Sequence, residues 1–281
     1  MTVDYEVEYN NRARVPEHPD IFARWQREAA AYRAAANNPK LGISYGPSSR
    51  RTIDLFPAKD DDKAPLAIFI HGGWWRSLEP ASFSQMAAGP NGRGVSVAVV
   101  GYDLCPVVSI ADIIEQIQAA CLTLWHRRRQ RMLVYGHSAG GHLAACMAAT
   151  DWKTLAPDAP ADLVPAAYAI SGVFDLMPLT QISINDDLRL NESEARRVSP
   201  LFWRVPAGRS LDAIVGALES SEFLRQSKTV AEAWKQSMAS TRYEEIAGTN
   251  HFTVIDPLND PASAMTARVA ALAYSVKSIA L

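Results

Sequence analysis

The chain holds little from which to build a redox, metal or membrane device. Cysteine is scarce, at three of 281 residues. Cys105, Cys121 and Cys146 are odd in number, lie in largely apolar stretches and lack paired spacing. That argues for reduced thiols rather than a disulfide framework or a zinc-type ligand set. There is no H-E-x-x-H run and no dinucleotide-type glycine spacing early in the chain, so neither a metal nor a nucleotide cofactor is expected. No apolar run approaches the roughly 20 residues of a membrane-spanning helix. The opening MTVDYEVEYNNR carries early acids and no continuous apolar stretch, unlike a secretory or transit leader. Net charge is small as well: 28 basic against 30 acidic side chains leave −2 and no global attraction to nucleic acid or an anionic membrane. A cytoplasmic protein acting on a neutral or mildly polar small molecule is the expectation, with a homodimer left open.

What is present suffices for one large core. With 48% hydrophobic residues and no internal repeat or low-complexity linker, residues 1–281 are expected to form a single domain. Strand-length apolar runs recur at PLAIFIHGG, VSVAVVGYD, RMLVYGH, AAYAISG and LDAIVGALE. Their continuity implies a sheet covered on both faces. Helical patterns alternate with them, as in FLRQSKTVAEAWKQSM, where Phe223, Val230, Trp234 and Met238 share a stripe. For the last helix, Asp260 is the expected N-cap and Pro261 the first helical residue, with Met265, Val269, Leu272 and Val276 on one face. Alternating strand and helix predicts an α/β fold with a mostly parallel central sheet. AAGPNGRG and APDAPADL read as loops. Residues 1–50, with a predicted helix at DIFARWQREAAAYRAA, and 176–209 stand outside the alternation and are candidates to border a pocket. The competing readings are a peripheral helix and an irregular connection.

The segment RMLVYGHSAGGHLAACMAA contains Gly136-His137-Ser138-Ala139-Gly140, a G-x-S-x-G pattern with a strand-like run before it and a small-residue helix after it. This is the setting in which a nucleophilic serine projects from a strained strand-to-helix turn. A helix cap would not need the flanking glycines. A serine hydroxyl needs a base, and a histidine base needs an orienting carboxylate. In this motif's fold both follow the serine in the order acid, then histidine. Of six histidines only His251, in EIAGTNHFTVID, lies far downstream in a turn-rich loop. His137 and His142 read as structural or pocket-lining, His71 as a brace for its glycine loop, and His18 and His126 as surface residues. Glu219 follows the strand-like LDAIVGALE and is the expected acid. Glu222, which reads as the start of a helix, and Asp175 are its rivals.

A carbonyl attacked by serine becomes an oxyanion that needs hydrogen-bond donors. In FIHGGWWRS, Gly72 and Gly73 free the backbone after an apolar strand. The expected donors are the amides of Gly73, Trp74 and Ala139. Trp74 and Trp75 would wall the site, with core packing the competing reading for Trp75. These residues predict a cofactor-independent serine hydrolase acting on an ester or aryl-formamide. The alternative is a binding protein that keeps the scaffold without the chemistry.

HGGWW, GHSAGG, GALESSEFLRQS and GTNHFTVI, in this order, resemble the α/β-hydrolase superfamily, and within it the arylformamidase (kynurenine formamidase) and small-esterase branch. The resemblance covers most of the chain from about residue 45. It implies the α/β-hydrolase fold, with helices on both faces of the sheet, and places Glu219 at the acid position.

Overall fold

The computed structural model describes residues 3–237 and 239–278. Eight strands form one sheet in the order β1-β2-β4-β3-β5-β6-β7-β8. They are β1 (Lys40–Ser44), β2 (Thr52–Phe56), β3 (Leu66–Ile70), β4 (Ser96–Val100), β5 (Met132–His137), β6 (Ala166–Ile170), β7 (Ser210–Gly216) and β8 (Ser240–Ile246). The β1–β2 and β2–β4 pairs are antiparallel, and the remaining pairs are parallel. Strands β3 to β6 are buried along their whole length, as their unbroken apolar runs require of a sheet covered on both sides.

Alternation along β3 shows the two layers. Leu66, Ile68 and Ile70 join one core cluster, while Ala67 and Phe69 join the other. The first layer takes α5 (Ile110–Arg128), α6 (Ala139–Ala149) and α10 (Ser221–Gln236); the second takes α3 (His18–Ala35) and α11 (Ala264–Ser278). Shorter helices are α1 (Tyr5–Tyr9), α2 (Asn11–Arg14), α4 (Ala88–Gly92), α7 (Trp152–Leu155), α8 (Asn185–Leu188) and α9 (Glu192–Arg197).

Five strands fall where the apolar runs predict them, and three do not. β1 is largely exposed, β2 carries the buried Asp54, and β8 is the charged, half-exposed edge STRYEEI. Asp54 is tolerated inside because Arg33 and the Gly42 amide neutralise it, at 2.5 and 2.8 Å. AAGPNGRG is partly helical rather than loop, with the Asn91 amide donating to the carbonyls of Phe56 and Val95 just beyond α4. The last helix also starts later than expected. Ser263, not Asp260, caps it by accepting from the Thr266 amide at 3.0 Å, and Asp260 instead turns the chain before it through Ala262. Met265, Val269, Leu272 and Val276 are all buried. On α10, Phe223, Val230 and Trp234 are buried as expected, whereas Met238 lies outside the described residues. Among the described residues no helix is long and apolar enough to cross a membrane.

Candidate active site

Ser138 sits between β5 and α6 at φ 56°, ψ −119°, outside the ordinary regions for a residue with a side chain. The turn persists because its neighbours permit no other path. The Ser138 amide donates to the Ile170 carbonyl on β6 at 2.8 Å, and its own carbonyl accepts from His142 one turn into α6. At Gly140 a Cβ would lie 1.9 Å from the Ile70 carbonyl oxygen, so only glycine lets the helix start this close to β3.

The hydroxyl thus held meets an imidazole. Ser138 Oγ is 3.1 Å from His251 Nε2, and His251 Nδ1 is 2.6 Å from Glu219 Oε2. The other carboxylate oxygen of Glu219 accepts from Ser171 Oγ at 2.5 Å and from the Gly216 amide at 2.7 Å. Both contacts fix the orientation of the carboxylate. Ser171, Glu219 and His251 follow the carboxyl ends of β6, β7 and β8, so adjacent strands deliver the partners to one sheet edge. A hydroxyl, imidazole and carboxylate linked in this order allow the imidazole to take the hydroxyl proton while the carboxylate steadies the resulting charge.

The rival acids are engaged elsewhere. Glu222 is bound by the Arg225 guanidinium at 2.7 and 2.8 Å and by the Tyr9 hydroxyl at 3.0 Å; against its burial, these partners hold its carboxyl below the usual range. Asp175 accepts from the Met177 amide two residues on.

The loop after β3 lies against this centre. A Cβ at Gly72 would come within 2.9 Å of both the His137 carbonyl oxygen and Ser138 Cβ. Gly73 has φ 113°, and Trp74, Trp75 and Leu78 also have positive φ. The turn is closed by the Gly73 carbonyl, which accepts from the amides of Arg76 and Ser77 and from Ser77 Oγ. Among the described residues the amides of Gly73 and Trp74 donate to no protein acceptor. Ala139 opens α6, so its amide has no carbonyl one turn back.

A cavity opens onto Ser138 and His251. Phe22, Trp25, Trp74, Phe83 and Phe252 supply most of its aromatic wall. The N-terminal region reaches it through Asn11, Arg12, Phe22 and Trp25, whereas no residue of 176–209 lines it. From that segment Ile182, Ser183 and Ile184 border an adjoining cavity that shares Asn11, Arg12, Trp74 and Ser77 with the first. Trp75, expected at the wall, is instead absent from it and fully buried, packed edge-on against His142 with ring centres 5.0 Å apart. Of the two indoles, it is the first, Trp74, that faces the cavity.

The other buried histidines hold backbone. His71 Nδ1 donates to the Gly72 carbonyl at 2.7 Å, between the rings of Phe83 and Tyr102. His142 Nε2 donates to Val198 at 2.7 Å. Burial pushes both protonation equilibria down to about 4. His137 lines the cavity and donates from Nε2 to the His251 carbonyl at 2.7 Å, a bond with no visible signature in sequence. Among the described residues no group of three or more His, Cys, Asp or Glu side chains could hold a metal ion.

Residues 53–202 match the BD-FAE family model. Kynurenine formamidase of Salmo salar is 30% identical over 231 residues, 78% of this chain and 77% of that protein. A crystal structure from a Silicibacter species, described there as a thioesterase candidate, superposes with TM-score 0.83 at 31% identity over 95% of this chain and 99% of the other. The thermostable carboxylesterase EstE1, from a metagenomic library, shares the fold at TM-score 0.69 and 17% identity, over 92% of this chain and 96% of its own. With the family model spanning more than half its length and a formamidase relative over three quarters of it, the chain belongs to the BD-FAE family and is an enzyme of the α/β-hydrolase fold.

Proposed function

We propose that the protein is a serine hydrolase that cleaves a small carboxylic ester or an aryl-formamide through an acyl-enzyme. Ser138 Oγ attacks the carbonyl carbon as His251 Nε2 takes the hydroxyl proton. Glu219 keeps the imidazole oriented and offsets its charge. The carbonyl oxygen, now an oxyanion, is held by the amides of Gly73, Trp74 and Ala139. The imidazolium gives its proton to the leaving oxygen or nitrogen, that bond breaks, and the acyl group remains on Ser138. Water then attacks, loses a proton to His251, and releases the acid as the proton returns to Ser138 Oγ.

The observation that carries this reading is the unbroken hydrogen-bond chain from Ser138 through His251 to Glu219, facing a cavity walled by aromatic rings. The likeness to a kynurenine formamidase supports an aryl-formamide as one substrate class. The test is a fluorophosphonate probe together with p-nitrophenyl acetate turnover. The probe is expected on Ser138, and Ser138→Ala should lose labelling and about ten-thousandfold in kcat with its melting temperature retained. Labelling elsewhere, or turnover that survives the substitution, would reject the assignment.

A further inference from the structure

Two imidazoles line the cavity, and they differ in what remains free. His251 is engaged at both nitrogens, by Ser138 and Glu219. His137 is engaged at one. Its Nε2 faces the His251 carbonyl oxygen, which can only accept, so the proton of a neutral ring sits on Nε2 and Nδ1 keeps a lone pair. Burial and the neighbouring His251 ring hold the protonation of His137 well below the ordinary histidine range. Near pH 7 the ring is therefore neutral.

Among the described residues Nδ1 of His137 has no hydrogen-bond partner. It is not sealed in either, unlike His71 Nε2 and His142 Nδ1, which are buried without partners. Gly72 leaves the space beside it open, since a Cβ there would stand 3.3 Å from Nδ1. An acceptor thus sits one residue before Ser138, on the wall of the cavity that holds the reacting bond.

Ester and formamide substrates differ at one atom beside the scissile carbonyl. An ester's leaving oxygen carries no hydrogen. A formamide's nitrogen carries one, and entering the aromatic-walled cavity removes it from water, which is costly unless an acceptor replaces the water. The same nitrogen must turn its lone pair toward His251 to receive the proton that releases it. A fixed acceptor for the N–H favours that orientation.

We propose that His137 Nδ1 accepts the leaving-group N–H of an aryl-formamide and so biases this cavity toward formamides over esters. The assignment rests on the serine-hydrolase reading and deepens it. His137 is then a binding residue through Nδ1 and a positioning residue for His251 through Nε2.

The experiment compares kcat/KM for formanilide and phenyl formate, which differ in N–H against O, within single preparations. His137→Gln keeps a donor where Nε2 stood and removes the acceptor; His137→Asn keeps an acceptor where Nδ1 stood and removes the donor. For His137→Gln the formanilide-to-ester ratio is expected to fall about tenfold or more. For His137→Asn both rates should fall with the ratio held within about twofold. A ratio unchanged in His137→Gln, or shifted equally in both variants, overturns the proposal and leaves His137 a brace alone. Histidine ¹⁵N spectra of the wild-type protein give a second arm that needs no variant. Nδ1 should show the shift of an unprotonated nitrogen, and a proton found there overturns the proposal too. Wild-type protein that cleaves neither compound and takes no fluorophosphonate would fail the serine-hydrolase reading instead, a result distinct from a lost preference.

Discussion

The turn at Ser138 and the N-terminal wall of the cavity are held by different kinds of contact. At the turn the partners are backbone: the Ser138 amide on Ile170, the start of α6 against the Ile70 carbonyl, and a helix buried from Ala139 to Ala149. At the wall they are side chains. Glu6 accepts from the Ser183 amide and hydroxyl, Glu8 from Ser221 Oγ and the Glu222 amide, and Arg24 pairs with Asp256. Backbone contacts at close range allow almost no substitution. Side-chain contacts at a half-exposed surface are individually weak and replaceable. The turn that carries Ser138 is thus fixed by main-chain geometry, while the N-terminal wall of the cavity is held by side chains.

That contrast is open to test. The largest effect is expected from Gly140→Ala, whose methyl has no room beside Ile70. It should give no folded protein, or a stability loss above about 4 kcal/mol in denaturant titration, and mild destabilisation would show that the turn has slack. Next come two carboxylates three residues apart. Glu219→Gln should lower kcat about a thousandfold or more with the melting temperature nearly kept. Glu222→Gln, which loosens Tyr9 and Arg225, should lower the melting temperature and leave kcat within about threefold. Exchange of the two outcomes would move the acid from one region to the other.

Third is pH. His71 and His142 protonate near 4 when folded, against an ordinary value of 6.5, because burial disfavours the cation. Between those values the unfolded chain holds more protons, so their contribution is whole above about pH 6.5 and is lost as pH falls toward 4. Each accounts for roughly 3 kcal/mol across that window. Melts that stay level from pH 6.5 to 4 would contradict the burial of these rings. The smallest effect is at the wall. Phe22→Ala should raise KM for aryl substrates about fivefold with kcat little changed, as a loss of uniform binding does.

Much of this was legible in the sequence, and the reason differs by element. The five central strands announce themselves because burial on both faces demands continuous apolar residues. β1, β2 and β8 do not, since an edge or a paired Asp54 relaxes that demand. Ser138, Glu219 and His251 were readable because strand ends put chemistry at one edge in a fixed order. Their supporting contacts were not. Ser171 on Glu219 and His137 on the His251 carbonyl join residues 48 and 114 positions apart, and only packing reveals them. Trp74 and Trp75 are identical in type, adjacent and alike in φ, at 56° and 54°, so nothing local to either residue separates them and only the packed structure shows which one lines the cavity.

The ties of the N-terminal wall also order events during synthesis. Glu6 waits for Ser183, 177 positions on, Glu8 for Ser221, and Arg24 for Asp256, 232 positions away. Closure over such separations is slow and comes late. Residues 6 to 24 therefore emerge well before their partners, and this part of the cavity's wall is tied down only after residues 183 to 256 have followed.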